Sequence, residues 1–331
     1  IYSNIYINKM DLHLLIEKAR PNIKKNSIDF YVRNMKILND YKKIENLDFL
    51  NNPLEIKKKL EDLGKSEQTI RNFLSSAVVV LKAVYPDNEK KELTDKYCEL
   101  MKKMQIRIIK KVEKNELTQK EADNFMTYDE LKEIQKDYEK QVEEMDLNYK
   151  NKIISPKENK ILLYYLVASL YTLCEPLRLD WANLNYTENK DDLKDITKNF
   201  LFSHGTFTKI VYLRHYKSVK KHGFKEFRLC KELAKIINLY RKFNTGSDPS
   251  VFLMNTIHFK LTPSTLGKII PKTFVSKDGK KRANLNMVRK ARVTDVVDID
   301  KVKQYKDLSD KMLHSQNVQQ SHYAKKIKIK V

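Results

Sequence analysis

The segment MLHSQNVQQSHYAKKI, residues 312–327, sets an imidazole at His314 and a phenol at Tyr323, nine positions apart in a strongly basic sequence. A tyrosine hydroxyl titrates at about pH 10 when unperturbed. To attack a phosphodiester at neutral pH it therefore needs neighbours that relieve the charge building on the phosphorus oxygens. Guanidinium groups suit that task, because they are permanently charged and their planar forks match the oxygens of a five-coordinate phosphate better than an ammonium does. The leaving 5′ oxygen also needs a proton, which a lysine or histidine can donate. If two arginines carry the charge, the chemistry requires no metal.

The chain supplies such a set in one order. Arg178 follows a Pro-broken helix end in CEPLRLDWANL, and Lys217 lies near the end of a strand in RHYKSVKKHG. Asn286 and Arg289 lie in NLNMVRKARVTD, and His314 and Tyr323 come after them. Taken singly, each residue has an ordinary reading: a salt-bridged surface arginine, a helix-surface or core histidine, a solvated lysine face. Lys220, Lys221 and Lys225 crowd the hairpin that carries Lys217, so any of them competes for the acid role. The order and spacing of the whole set point to phosphoryl chemistry.

In these residues the chain resembles the tyrosine recombinases, the phage-type integrases, over roughly residues 126 to 323, with a weaker helical match to that family's core-binding domain before it. Arg178 resembles the box I arginine and Arg289 the box II arginine, both clamping the scissile phosphate. Lys217 resembles the β-hairpin lysine that protonates the leaving 5′ hydroxyl. His314 resembles the histidine of the family's Gly-His motif, with Leu313 in place of the glycine, and Tyr323 resembles the nucleophile. Box II usually begins with histidine where this chain has Asn286, whose amide can hydrogen-bond an oxygen but cannot take a proton. Trp181 stands where a glutamate is often found, with Asp180 beside it.

The resemblance implies a site-specific recombinase or integrase from a virus or mobile element, cleaving and rejoining double-stranded DNA through a 3′-phosphotyrosine intermediate. Such an enzyme acts as a homotetramer on paired DNA sites. It needs no cofactor, because the phosphotyrosine bond conserves the energy. Two alternatives stay open: a type IB topoisomerase, and a DNA-binding relative that has lost catalysis, which Asn286 favours. The expected location is the nucleus or cytoplasm of a host cell, or a virion.

The elements that must position this set are mainly helical. The chain has 331 residues, 41% of them hydrophobic, enough for about two domains at roughly 100 to 200 residues each. Lys+Arg number 65 against 43 Asp+Glu, a net charge of +22, which points to a polyanionic partner, although an AT-rich genome also enriches lysine. Cys98, Cys174 and Cys230 stand far apart in no metal-ligand spacing, as in a chain with reduced thiols. The longest apolar run, Ile161 to Cys174, falls short of the roughly 20 residues of a membrane span. The opening IYSNIYINKMDLHLL does not read as a signal peptide, so secretion is not expected.

The expected fold is mainly α with a small antiparallel β-sheet, as a helical domain over 1–125 and an α+β catalytic domain over 126–331. Helical spacing joins Ile28, Tyr31, Val32, Met35 and Leu38, and again Ile70, Phe73, Leu74, Ala77, Val80 and Leu81, before Pro86. TYDE, from Thr127 to Glu130, reads as a capping box opening the second domain. NFLFSHGTFTKIVYLRHYK and FKEFRL alternate like strands around SHG and KHG turns, after which KELAKIINLYRKF, LTPSTLGKII and the segment from Met287 to Tyr323 return to helix. Ile327, Ile329 and Val331 alternate with lysines, the pattern of a short strand that would need a sheet edge to pair with.

Overall fold

The computed structural model describes residues 11–86, 89–145, 147, 153–244 and 246–313. The chain divides into two compact units, Ile1–Glu116 and Leu117–Val331.

The first unit comprises α1 (Leu12–Ala19), α2 (Lys25–Leu38), α3 (Pro53–Asp62), α4 (Glu67–Val84) and α5 (Lys91–Glu113). Its centre is α4, which starts where the Ser66 hydroxyl accepts the Thr69 N–H and then buries Ile70, Phe73, Leu74, Ala77, Val80 and Leu81. The other four helices pack against it. Ile28, Val32, Met35 and Leu38 of α2 are buried as their spacing predicts, with Tyr31 half-buried at the edge. Two polar contacts fix the packing: Asn34 donates 2.9 Å to the Ser76 hydroxyl, and the buried Tyr97 hydroxyl donates 2.8 Å to the Leu50 carbonyl. Each is satisfied, so the helices meet in one arrangement.

The second unit opens with α6 (Gln119–Ala122), α7 (Tyr128–Glu143) and α8 (Pro156–Thr172). Thr127–Glu130 forms the capping box in both arms, as do Thr118–Glu121 at α6 and Ser155–Glu158 at α8. α8 is apolar almost all round and is buried from Leu162 through Thr172 on most of its surface, with α7, α10 and α11 packed on it. Tyr165 and Tyr171 lie in this core, with Tyr164 packed at its margin. The sheet follows as β1 (Leu184–Thr187), β2 (Asn199–His204), β3 (Thr208–Leu213) and β4 (Lys225–Arg228), with the short α9 (Val219–His222) between the last two strands. Then come α10 (Lys231–Phe243), α11 (Pro263–Thr273), α12 (Leu285–Val296) and α13 (Ile299–Lys311).

The chain is thus mostly helical with one small sheet, as expected, but the sheet is mixed. Strands run in the order β1-β2-β3-β4; β2, β3 and β4 are antiparallel neighbours, with Phe200 opposite Tyr212 and Leu213 opposite Lys225. β1 lies parallel to β2, Leu184 opposite Asn199. Four residues of LNYT are too few to display a period, and the return to β2 runs through residues 188–198, which include a short 3-10 turn, Lys190–Lys194. The segment after Met287 is also divided, because α12 ends at Val296 and Asp298 caps a new helix by accepting the N–H groups of Asp300 and Lys301. No helix among the described residues is long and apolar enough to cross a membrane.

Candidate active site

Arg178 lies in the loop that leaves α8. The helix stops at Thr172 and Pro176 prevents its resumption. A 3-10 turn, Asp180–Asn183, then buries Trp181 completely, so the loop is anchored at both ends. The Tyr171 hydroxyl donates 2.8 Å to the carbonyl oxygen of Arg178, holding the backbone while the guanidinium stays half-buried.

Arg289 comes from the second turn of α12. Asn284 starts that helix by accepting the N–H groups of Asn286 and Met287, and Met287, Val288 and Ala291 bury its inner face. Asn286 is exposed one turn before Arg289, at the i, i+3 spacing that places both on one side. The neighbouring cations on this helix are engaged: Lys290 pairs with Glu121, and Arg292 pairs with Glu175 and Asp295. Among the described residues, the side chains of Arg178 and Arg289 make no hydrogen bond or ion pair.

Both arginines nevertheless act on one carboxylate. Burial pushes the Asp180 carboxyl above its ordinary range, and Arg178, then Arg289, pull against that rise. The Tyr171 hydroxyl is likewise pushed up, by burial first and then by Asp180, while Arg289 opposes the shift. The loop after α8 and α12 therefore bring Arg178 and Arg289 within electrostatic reach of Asp180, leaving two positive charges against one negative. Around Asp180 itself the two guanidinium groups outweigh the one carboxylate, a local balance that favours an anion.

Lys217 is exposed, in the turn between β3 and α9. Its approach is fixed from behind by the buried Asn199. That side-chain oxygen accepts the Arg214 and His215 N–H groups at 2.7 and 2.8 Å, and its amide donates 2.8 Å to the His215 carbonyl. The hairpin turns at Gly223, with φ of +64°, where a side chain would be strained. No hydrogen bond or ion pair among the described residues links Lys217 to Arg178, Arg289 or Asp180. His314, Tyr323 and the segment Ile327–Val331 lie outside the described residues.

Two features escaped the sequence reading. Glu175, three residues past the end of α8, grips Arg292. Lys209, at the other end of β3 from Lys217, is a buried lysine whose ammonium donates 2.8 Å to the Ser203 hydroxyl and 3.2 Å to the Gly205 carbonyl. The only available signals were the three-residue step from Arg289 to Arg292 and a lysine breaking the apolar face of β3. Among the described residues no group of three or more His, Cys, Asp or Glu side chains could hold a metal ion.

No protein-family model and no curated protein matches the chain. Among solved structures it is similar to the crystal structure of XerA recombinase, with 14% identity over 95% of this chain and 99% of that one, and a TM-score of 0.33. A superposition that loose carries no argument about activity.

Proposed function

We propose that this chain is a DNA strand-cleaving and rejoining enzyme of the tyrosine recombinase type, acting on double-stranded DNA at specific sites. The reading rests most on Arg178 and Arg289, two arginines from separate elements that bear on Asp180 and leave one positive charge unmatched. A phosphodiester between them would supply that anion. The oxygen of Tyr323 attacks phosphorus, its phenolic proton passing to solvent water, and a 3′-phosphotyrosine bond forms as the bond to the 5′ oxygen breaks. Lys217 delivers a proton to that leaving oxygen, and His314 and Asn286 hydrogen-bond the phosphate oxygens. Attack by a 5′ hydroxyl on the phosphotyrosine reverses the step and joins the strands. Two cleaved duplexes must be held together for exchange, so the acting species is a homotetramer on paired sites.

One observation favours a second reading. Asn286 cannot take the proton that the tyrosine loses, as a histidine there could, which suits a DNA-binding relative without catalysis. A nicked duplex carrying the DNA that flanks the gene separates these readings, because cleavage next to a nick traps an SDS-resistant protein–DNA adduct. The adduct is expected with the parent chain and not with Tyr323→Phe, while both bind the duplex alike. Binding without any adduct from the parent chain would favour the inactive relative, and an adduct from the Phe variant would reassign the nucleophile.

A further inference from the structure

We infer that Glu175 and Arg292 form a latch that sets the separation of Arg178 and Arg289, making both of them positioning residues for the chemistry proposed above, on which this role rests. The Arg292 Nε and Nη2 groups donate to the two oxygens of Glu175 at 3.2 and 2.8 Å, a two-pronged contact that fixes direction as well as distance. Its third nitrogen, Nη1, donates 2.9 Å to Asp295 one turn further along α12. The guanidinium carbon stands 5.1 Å from the centre of the Tyr128 ring, and the Tyr128 hydroxyl donates 2.9 Å to the carbonyl of Thr172, the last residue of α8. The start of α7, the end of α8 and α12 thus meet on one side chain.

Its place in the chain gives the latch its consequence. Glu175 precedes Arg178 by three residues, and Arg292 follows Arg289 by three. The contact therefore joins the loop carrying one unpaired arginine to the helix carrying the other, across 117 positions of sequence. With two carboxylates on its guanidinium, Arg292 is not itself available to a phosphate. Nor is the pair a major source of stability, since the Glu175 side chain is 75% exposed and exposed ion pairs contribute little. Geometry is what it supplies, and a misplacement of about 1 Å at a phosphoryl-transfer site can cost on the order of 100-fold in rate.

Arg292→Lys and Glu175→Gln test this, the first keeping the charge and losing the fork, the second keeping the shape and losing the charge. Both should form adduct on the nicked duplex at least about tenfold more slowly at saturating DNA, with affinity within about twofold of the parent and an unchanged unfolding midpoint. If charge alone mattered, Arg292→Lys would cleave like the parent, and that result overturns the latch. A second readout needs no DNA: Trp181, the chain's single tryptophan, follows Arg178 by three residues, so its quenching by acrylamide reports the loop. Quenching should rise in both variants. Should the parent chain make no adduct, the proposed function fails while the quenching still decides the latch. If the parent makes adduct and both variants match it in rate and quenching, the latch fails and the function stands.

Discussion

The phenolic hydroxyl of Tyr171, on the last turn of α8, donates a 2.8 Å hydrogen bond to the carbonyl oxygen of Arg178, seven residues further along. The bond holds the loop near its far end, as the Glu175–Arg292 contact holds it nearer α8. Because the ring is fully buried, the bond works in a setting where a lost partner is felt. Tyr171→Phe should cost about 1 kcal/mol in urea unfolding, the usual net value of one such bond. It should also slow adduct formation more than it weakens DNA binding, because the backbone it frees carries Arg178. Equal effects on rate and affinity would make the bond a matter of stability alone.

Arg178→Ala and Arg289→Ala should each slow strand cleavage by about 100-fold or more, the loss expected when one preorganised charge-stabilising donor is removed. Affinity should fall far less, since in a chain of net charge +22 many other cations would still be free to meet the backbone of a bound duplex. Single-turnover kinetics at saturating DNA separate the two effects. A variant that cleaves at the parent rate would return its arginine to the ordinary surface.

Much of each unit's fold is legible in the sequence because it depends on local pattern. The 3.6-residue period in α2 and α4, the reciprocal capping box at Thr127 and Glu130, and the alternation in β3 each need only neighbours in the chain. β1 has too few residues to show a period, and its parallel pairing depends on where β2 ends up. The break between α12 and α13 turns on the Asp298 cap inside an otherwise helical stretch. Within the site, the motif order marks Arg178 and Arg289 as candidates, but their shared action on Asp180 and the grip of Glu175 on Arg292 join residues far apart in the chain. No spacing rule reaches across such a distance.

Asp180 gives a pH dependence with a definite sign. Its carboxyl is raised in the folded chain above the ordinary 3.8, by burial and despite Arg178 and Arg289, so the folded state holds that proton more tightly than the unfolded state. Its contribution to stability is therefore full below pH 3.8 and is lost as pH rises through the folded value. Asp180→Asn removes the charge that burial penalises. At neutral pH it should unfold at higher urea than the parent, with the gap narrowing as pH falls toward 3.8. A gap that stays constant with pH would mean that the carboxylate is not held at a cost.

DNA binding should weaken steeply with salt, because each phosphate neutralised by Lys or Arg releases condensed counterions, at a logarithmic slope of about −0.9 per contact. The +22 net charge allows many such contacts. Titrations of a short duplex across a range of salt concentrations give the slope directly. A nearly flat line would leave the charge as a matter of composition.

The hairpin lysine is where the sequence leaves the widest choice, since Lys217, Lys220, Lys221 and Lys225 are all exposed around the same turn. Asn199 narrows it. By holding the backbone of Arg214 and His215 with three hydrogen bonds, it fixes the chain just ahead of Lys217, whereas Lys220 and Lys221 ride on the short α9 beyond the turn. A general acid needs that kind of placement, because proton transfer depends on reaching the leaving oxygen at hydrogen-bond distance. Lys217→Ala should slow cleavage by about 100-fold on an ordinary phosphodiester. A 5′-thio leaving group departs without a proton, so on that substrate the loss should largely disappear. Asn199→Ala should reproduce part of the defect on the ordinary substrate and little on the thio one, as loss of placement of the same acid requires. Equal slowing of Lys217→Ala on both substrates would remove it from the acid role, and a Lys220→Ala variant rescued by sulfur would take its place.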